Sequence, residues 1–73
     1  MNNLYAAAVV TMFGLVDVIE GKWLTAEVTF PSGQVEEMEF PVQLFPCDIQ
    51  EGEMFYSYQI DGVTEIRCGE PPV

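Results

Sequence analysis

The chain lacks histidine and has one lysine, Lys22, and one arginine, Arg67, against twelve aspartates and glutamates. Without histidine it lacks the side chain most often used for acid–base catalysis near neutral pH, and no lysine–acid pair replaces it. So few basic residues exclude a surface that binds nucleic acid or anionic membranes. We therefore expect no enzyme, and no protein that binds nucleic acid or membranes directly.

Cysteine is also scarce, since Cys47 and Cys68 are the only two. One pair does not make the disulfide framework of a small secreted domain. The two could bridge if they adjoin in space, but two buried free thiols are the favoured interpretation. Asp48 follows Cys47 and disfavours a thiolate there, so a reactive cysteine is not expected.

Long apolar runs are missing as well. Residues 4–10 are apolar, but no lysine or arginine precedes them as in a signal peptide. The apolar stretch that continues to Ile19 is broken by Thr11, Gly14 and Asp17 and is shorter than a membrane span. We expect a cytoplasmic protein.

The chain does have a core and an excess of charge. Of its 73 residues 49% are hydrophobic, with five Phe, three Tyr and one Trp, which is not the composition of a disordered acidic chain. This length predicts one domain, 1–73, with 69–73 as an extended tail. The net charge of −10 exceeds the magnitude of about 2–8 that keeps a small domain soluble. The excess is therefore a candidate for function.

A first hairpin is predicted from alternating apolar and polar residues in 24–30 and 37–42, with Pro31-Ser32-Gly33 as the turn. If Thr29 lies opposite Val35, the apolar sets of both strands share one face, whereas a slip of one residue would place glutamates against them. The register then also pairs Trp23 with Pro41, Leu24 with Phe40, Thr25 with Glu39, Ala26 with Met38, Glu27 with Glu37 and Val28 with Glu36.

A second hairpin is predicted from residues 54–60 and 63–68, because Asp61-Gly62 between them is a two-residue hairpin signal. Between the hairpins, Pro41 and Pro46 bracket a segment that we expect to leave the sheet as a turn or a short 3₁₀ piece.

The first seventeen residues are ambiguous. Residues 5–8 could open a short helix capped by Asn3, whereas the β-branched residues that follow favour strand. We favour one long first strand bent at Gly14 by a bulge. The expected fold class is all-β, a small antiparallel five-stranded barrel, SH3-like or OB-like, with a short N-terminal helix as the alternative.

Three segments resemble the turns and corners of a family of small bacterial SH3-like barrels of unassigned function. They are Ile19-Glu20-Gly21, the stretch from Pro41 to Pro46, and Glu51-Gly52-Glu53. This resemblance implies the barrel and no activity. In size and charge alone the chain is also similar to small acidic inhibitors carried by phages and mobile elements.

The carboxylates of Asp48, Glu51 and Glu53 form a loose acidic turn. It lacks the alternating Asp/Asn ligands, central Gly and final Glu of a calcium loop. A solvated turn is therefore the favoured interpretation, and we expect no metal and no cofactor.

The main candidate site is an acidic face. In the favoured register Glu27 lies opposite Glu37, and Glu39 follows two residues later with no basic residue on either strand. Carboxylates about 6.7 Å apart along a strand can imitate phosphates that rise about 3.4 Å per nucleotide. The alternative is a solvated edge whose glutamates prevent aggregation.

A second candidate is aromatic. In the second hairpin Tyr58 lies opposite Glu65 and Tyr56 opposite Arg67, while Phe55 meets Cys68 and Ser57 meets Ile66 on the other face. Both faces are mixed, so the sequence does not decide which is buried. Tyr56, Tyr58 and Glu65 are interface residues if their face is exposed, and rim residues of the core if it is not. Trp23 is either a barrel lid or an exposed anchor.

These observations predict an acidic inhibitor or adaptor that occupies a basic surface of a nucleic-acid-binding protein, as a DNA mimic such as an anti-CRISPR protein of a phage would. Its binding residues are expected to be Glu27, Glu37, Glu39, Tyr56, Tyr58 and Glu65. The alternative is an assembly module that forms homodimers through its aromatic strand, 54–60.

Overall fold

The computed structural model describes residues 9–71, and these form one antiparallel sheet of five strands. The strands are β1 (Val9–Glu20), β2 (Trp23–Thr29), β3 (Val35–Pro41), β4 (Met54–Ile60) and β5 (Val63–Cys68), in the spatial order β3-β2-β1-β4-β5. The expected all-β class with five antiparallel strands is confirmed. No strand pair of the described residues joins β3 to β5, so closure into a barrel stays a prediction.

Strand β1 is the centre of the sheet. Its second half pairs with β2 and its first half with β4, and residues 13–15 pair on both sides. The register shifts between Val16 and Val18 against β2, and between Val10 and Met12 against β4. The long first strand is confirmed for residues 9–20, but the prediction of a bulge at Gly14 is wrong, because both register shifts lie elsewhere. The favoured strand holds for residues 9–10, whereas the helix alternative for 5–8 and its Asn3 cap lie outside the described residues.

Gly14 has a packing role instead. It lies opposite Phe55 of β4, and an added Cβ would lie 2.6 Å from Phe55 Cε1 and still nearer to Cζ. Real Cβ contacts are essentially never this short. Glycine therefore allows the Phe55 ring to lie directly on the backbone of β1.

Both hairpins have the predicted registers. Every predicted β2–β3 pair occurs, from Trp23 opposite Pro41 to Thr29 opposite Val35. In the β4–β5 hairpin Asp61 and Gly62 both have positive φ, 53° and 78°, as a type I′ turn requires. Residues Val42–Leu44 form the expected short 3₁₀ helix.

The core lies on one face of the sheet. Phe45, just after the 3₁₀ helix, packs edge-on against Phe55 with ring centroids 4.9 Å apart. Phe40 also lies edge-on to both rings, 5.6 Å from Phe55 and 6.1 Å from Phe45. Five aliphatic residues complete this buried cluster: Val16, Leu24, Ala26, Val28 and Ile49. Phe55 and Ser57 are buried, so the tyrosine side of β4 faces outward.

Cys47 and Cys68 form a disulfide with Cα atoms 6.5 Å apart, so the expectation of two free thiols is wrong. The β4–β5 register places Cys68 opposite Phe55, on the core side of the sheet. Phe45 inserts its ring beside the same Phe55 and brings the following residues, including Cys47, across to the end of β5. The bridge thus fastens the connection between the hairpins to the sheet.

The acidic turn at 51–53 lies along the same edge of β1 as β4 and pairs with Val16, just beyond the last residue of β1 that β4 reaches. Val16 N–H donates to the Glu53 carbonyl and the Gly52 N–H donates to the Val16 carbonyl, both at 2.9 Å. The Ile19 N–H donates to the Glu51 carboxylate at 2.7 Å. Within residues 9–71, no helix has the length and apolar character needed to cross a membrane.

Candidate functional site

The six residues predicted to bind a partner lie on one face of the sheet, opposite the core. Leu15 of β1 pairs with Glu27 on one side and Met54 on the other, and Phe13 pairs with Tyr56. Successive side chains of a strand point to opposite faces, so every second residue of β2 to β5, counted from these pairs, lies on the same outer face. Its predicted members are Glu27, Glu37, Glu39, Tyr56, Tyr58 and Glu65.

At one side of the outer face lies an acidic row, Glu27, Glu37 and Glu39. Glu27 is directly opposite Glu37, and Glu39 is opposite Thr25. All three carboxylates are exposed, and the one ion pair within residues 9–71 is elsewhere, between Arg67 and Glu65. Like charges directly opposite destabilise a strand pair. The row therefore concentrates negative charge without relief from a neighbouring cation.

Next to the acidic row is an apolar stripe on β1, formed by Phe13, Leu15 and Val18. These side chains are 37%, 46% and 37% exposed although β1 is the central strand. Sequence reasoning missed them because β1 is apolar on both faces, so alternation did not show which side is covered. The register shift at Asp17 is what turns Val18, rather than Asp17, to the outer face.

Two shallow grooves run between the stripe and the carboxylates. One is lined by Val18, Trp23 and Thr25 together with Glu20 and Glu39. The other places Leu15 and Val35 beside Glu27, Glu36 and Glu37. Lys and Arg bury their aliphatic stems on apolar surface while their charged ends stay polar. Grooves in which apolar side chains lie beside carboxylates suit such side chains.

The aromatic side of the outer face is held by its own contacts. Tyr58 donates a hydrogen bond to Glu65 Oε1 at 3.1 Å, and Arg67 Nη2 donates to the same oxygen at 3.0 Å. The Arg67 guanidinium carbon lies 5.1 Å from the centre of the Tyr58 ring, and the Tyr56 and Tyr58 rings lie 6.0 Å apart. These contacts orient the two tyrosines, which are half-buried.

The same contacts shift three ionisation equilibria. The hydrogen bond from Arg67 lowers the pKa of Glu65, and the bond from Tyr58 adds to this. Local desolvation, followed by the hydrogen bond to Glu65, raises the pKa of Tyr58 above its ordinary value. The bond to Glu65 raises the pKa of Arg67. At neutral pH the cluster is therefore a neutral phenol beside a neutralised ion pair.

Trp23 lies opposite Pro41 and is 54% exposed, so it is an exposed residue of the outer face rather than a lid. It stands at the end of the stripe nearest Glu39. An exposed indole beside carboxylates adds both apolar area and a surface for a cation.

No group of three Cys, Asp or Glu side chains in residues 9–71 is arranged to hold a metal ion. In the acidic turn, Glu51 accepts the Ile19 N–H and Glu53 accepts the Gln50 N–H at 2.9 Å. These two carboxylates thus hold the turn in place.

Comparison of the chain with known proteins finds no significant match to a protein-family model, to a curated protein or to a solved structure. Function is therefore inferred from the outer face.

Proposed function

We propose that the protein is an acidic inhibitor or adaptor whose outer face occupies a basic, nucleic-acid-binding surface of a partner protein. The observation that carries this proposal is the juxtaposition on one face of an unrelieved acidic row and an exposed apolar stripe. The fold gains nothing from either feature, because like charges oppose each other and apolar side chains meet water.

The spacing of the acidic row supports mimicry of a phosphate backbone. Glu37 and Glu39 are two residues apart on one strand, or about 6.7 Å along β3. This is close to two nucleotide steps of about 3.4 Å on a DNA strand. A groove shaped for phosphates would meet carboxylates at a comparable interval.

The apolar stripe supports a protein partner. Steering by charge raises association rates, whereas buried aromatic and aliphatic anchors supply most of the affinity of a protein interface. Leu15, opposite Glu27, and Trp23, in one groove with Glu39, are anchors of this kind beside the acidic row, and Phe13 extends the stripe towards Tyr56. An inhibitor carried by a phage, such as an anti-CRISPR protein, is one form that this proposal takes.

The test is a pull-down from lysate of the source cell with low-salt and high-salt washes, followed by competition. A captured partner should be released by salt, because exposed charges are screened beyond about 8–10 Å at physiological ionic strength. It should also bind DNA or RNA in competition with this protein. A captured partner that keeps its nucleic acid while bound would contradict the mimicry.

Self-association through the aromatic strand is the second candidate, and the exposed tyrosine side of β4 favours it. Because β4 is paired with β1 and β5, it can offer side chains but no free backbone edge. Such an assembly would bury Tyr56 and Tyr58 against a second copy. It would persist in high salt, whereas binding through the acidic row would weaken.

The cytoplasmic location is part of the proposal, and the disulfide gives its test. Disulfides are rare in reducing cytosol. If the protein resides there, alkylation of thiols before lysis should label Cys47 and Cys68. A chain that resists alkylation in the cell would place the protein in an oxidising compartment.

A further inference from the structure

Strand β5 forms one outer edge of the sheet. The Gly69 N–H donates to the Met54 carbonyl at 2.8 Å, which makes these two a hydrogen-bonded pair. Because hydrogen-bonded pairs alternate along an antiparallel ladder, every second residue of β5 directs its N–H and C=O away from β4. The residues that do so are Thr64, Ile66 and Cys68. Within the described part of the chain their outward backbone groups have no backbone partner.

This edge has less protection against strand pairing than the opposite one. Natural edges are blunted by proline, bulges or charged side chains. The opposite edge, β3, ends in Pro41 and carries three exposed glutamates, Glu36, Glu37 and Glu39. In contrast, β5 pairs regularly with β4 throughout, has no proline, and contains Arg67, one of the two cations of the chain, beside Glu65. It is a neutral strand on a strongly acidic protein.

The sequence of β5 is complementary to itself. When two copies align antiparallel about Ile66, the outward-directed residues meet, with Ile66 opposite Ile66 and Thr64 opposite Cys68, and each such pair exchanges two hydrogen bonds. On the outer face Glu65 of each copy then lies opposite Arg67 of the other. A shift by two residues would instead place Glu65 against Glu65 or Arg67 against Arg67.

We propose that two copies of the chain associate through β5 in this register and form one continuous ten-stranded sheet, twice the five strands of the monomer. The two-fold axis is perpendicular to the sheet, so both outer faces lie on the same side. Their acidic rows are at the two far ends and stay free for a partner. The proposal does not depend on what the outer face binds.

The first test is sedimentation equilibrium of the full chain at physiological salt over a concentration series, so that general repulsion is screened. The expected mass rises from 8.2 kDa towards twice that value. Thr64→Pro removes one outward N–H without touching the β4 ladder and should abolish the rise. Thr64→Ala also loses the Gln59–Thr64 side-chain bond but keeps the N–H, and it should associate like the parent.

The second test uses charge. Glu65→Lys and Arg67→Glu each place like charges opposite one another in the dimer, and each alone should weaken association by about tenfold. Mixed in equal amounts they restore both opposite-charge pairs, so a heterodimer should form. Circular dichroism checks that each variant keeps the sheet.

A chain that stays at the monomer mass at every concentration overturns the proposal. A dimer that still forms in Thr64→Pro also overturns it. The same holds if the two charge variants form no heterodimer when they are mixed.

Discussion

At the scale of single residues, Gly14 and Phe55 determine how the core meets the sheet. Phe55 is fully buried and lies edge-on to Phe40 and Phe45, so its ring has no free space into which to move. The glycine opposite is thus a packing requirement, and no positive φ is involved.

Gly14→Ala should destabilise the fold by about 1–3 kcal/mol, as overpacking of a core does. The methyl group can be accommodated only if the Phe55 ring shifts. Urea unfolding measures the loss. In the double variant with Phe55→Leu, the cost should be smaller than the sum of the two single costs. Additive costs would show that the two sites do not contact each other.

The Glu65 cluster gives a second prediction at this scale. Arg67→Met removes the largest cause of the lowered pKa of Glu65 and should raise that pKa in an NMR titration. In the parent protein the contribution of Glu65 to stability is present above its unfolded-chain pKa and is lost as pH falls through the lower folded value. An unchanged Glu65 pKa in Arg67→Met would contradict the contact.

The pair of Glu27 and Glu37 gives a third prediction at the residue scale. Glu37→Gln removes a repulsion between directly opposed carboxylates and keeps the shape of the side chain. The free energy of unfolding should stay equal or rise by up to about 1 kcal/mol. Thermal melting measures it, with Glu70→Gln in the tail as a control of equal charge. A clear loss of stability at Glu37 alone would show a contact that supports the fold.

At the scale of elements, the two hairpins were predictable in register because each combines a turn signal with alternation. A slip in the first hairpin would have placed glutamates against Val28 and Ala26, so one register was favoured. Strand β1 was not resolved in the same way, since it is apolar on both faces. Its register shifts and its exposed stripe depend on tertiary pairing that a local pattern does not contain.

The disulfide was missed for a related reason. The register predicted Cys68 opposite Phe55, but nothing local showed that Phe45 would fold the following residues back to the same place. The sequence separation of 21 residues spans a loop, strand β4, a turn and strand β5. Formation of the disulfide therefore depends on how the whole core packs.

Reduction of Cys47–Cys68 should lower stability by about 2–4 kcal/mol, because the bridge restrains the unfolded chain. Urea unfolding with and without reductant measures this, and the double variant Cys47→Ser/Cys68→Ser should be insensitive to reductant. Purified protein that has oxidised in air should, when denatured but not reduced, react with no thiol reagent. Two reactive equivalents in such protein would contradict the bridge.

At the scale of the whole molecule, charge is distributed unevenly. The net charge of −10 comes with one edge that is acidic, β3, and one that is neutral, β5. Self-repulsion of this size costs stability, and natural proteins accept such costs where an interface needs them. We propose that this interface is the acidic side of the outer face.

The most direct test compares two variants of equal net charge. One carries Gln at all three positions of the acidic row, 27, 37 and 39. The other carries Asp48→Asn, Asp61→Asn and Glu70→Gln, which lie outside the acidic row and both of its grooves. Calorimetric titration of each with the partner from the pull-down, at low and at physiological salt, gives the affinities.

We expect the outer-face variant to lose far more affinity than its matched control and to lose most of its salt dependence, while both variants melt no lower than the parent. If the two variants bind equally well, only the total charge matters. The acidic row would then be a solvated surface, and the proposed interface would be wrong.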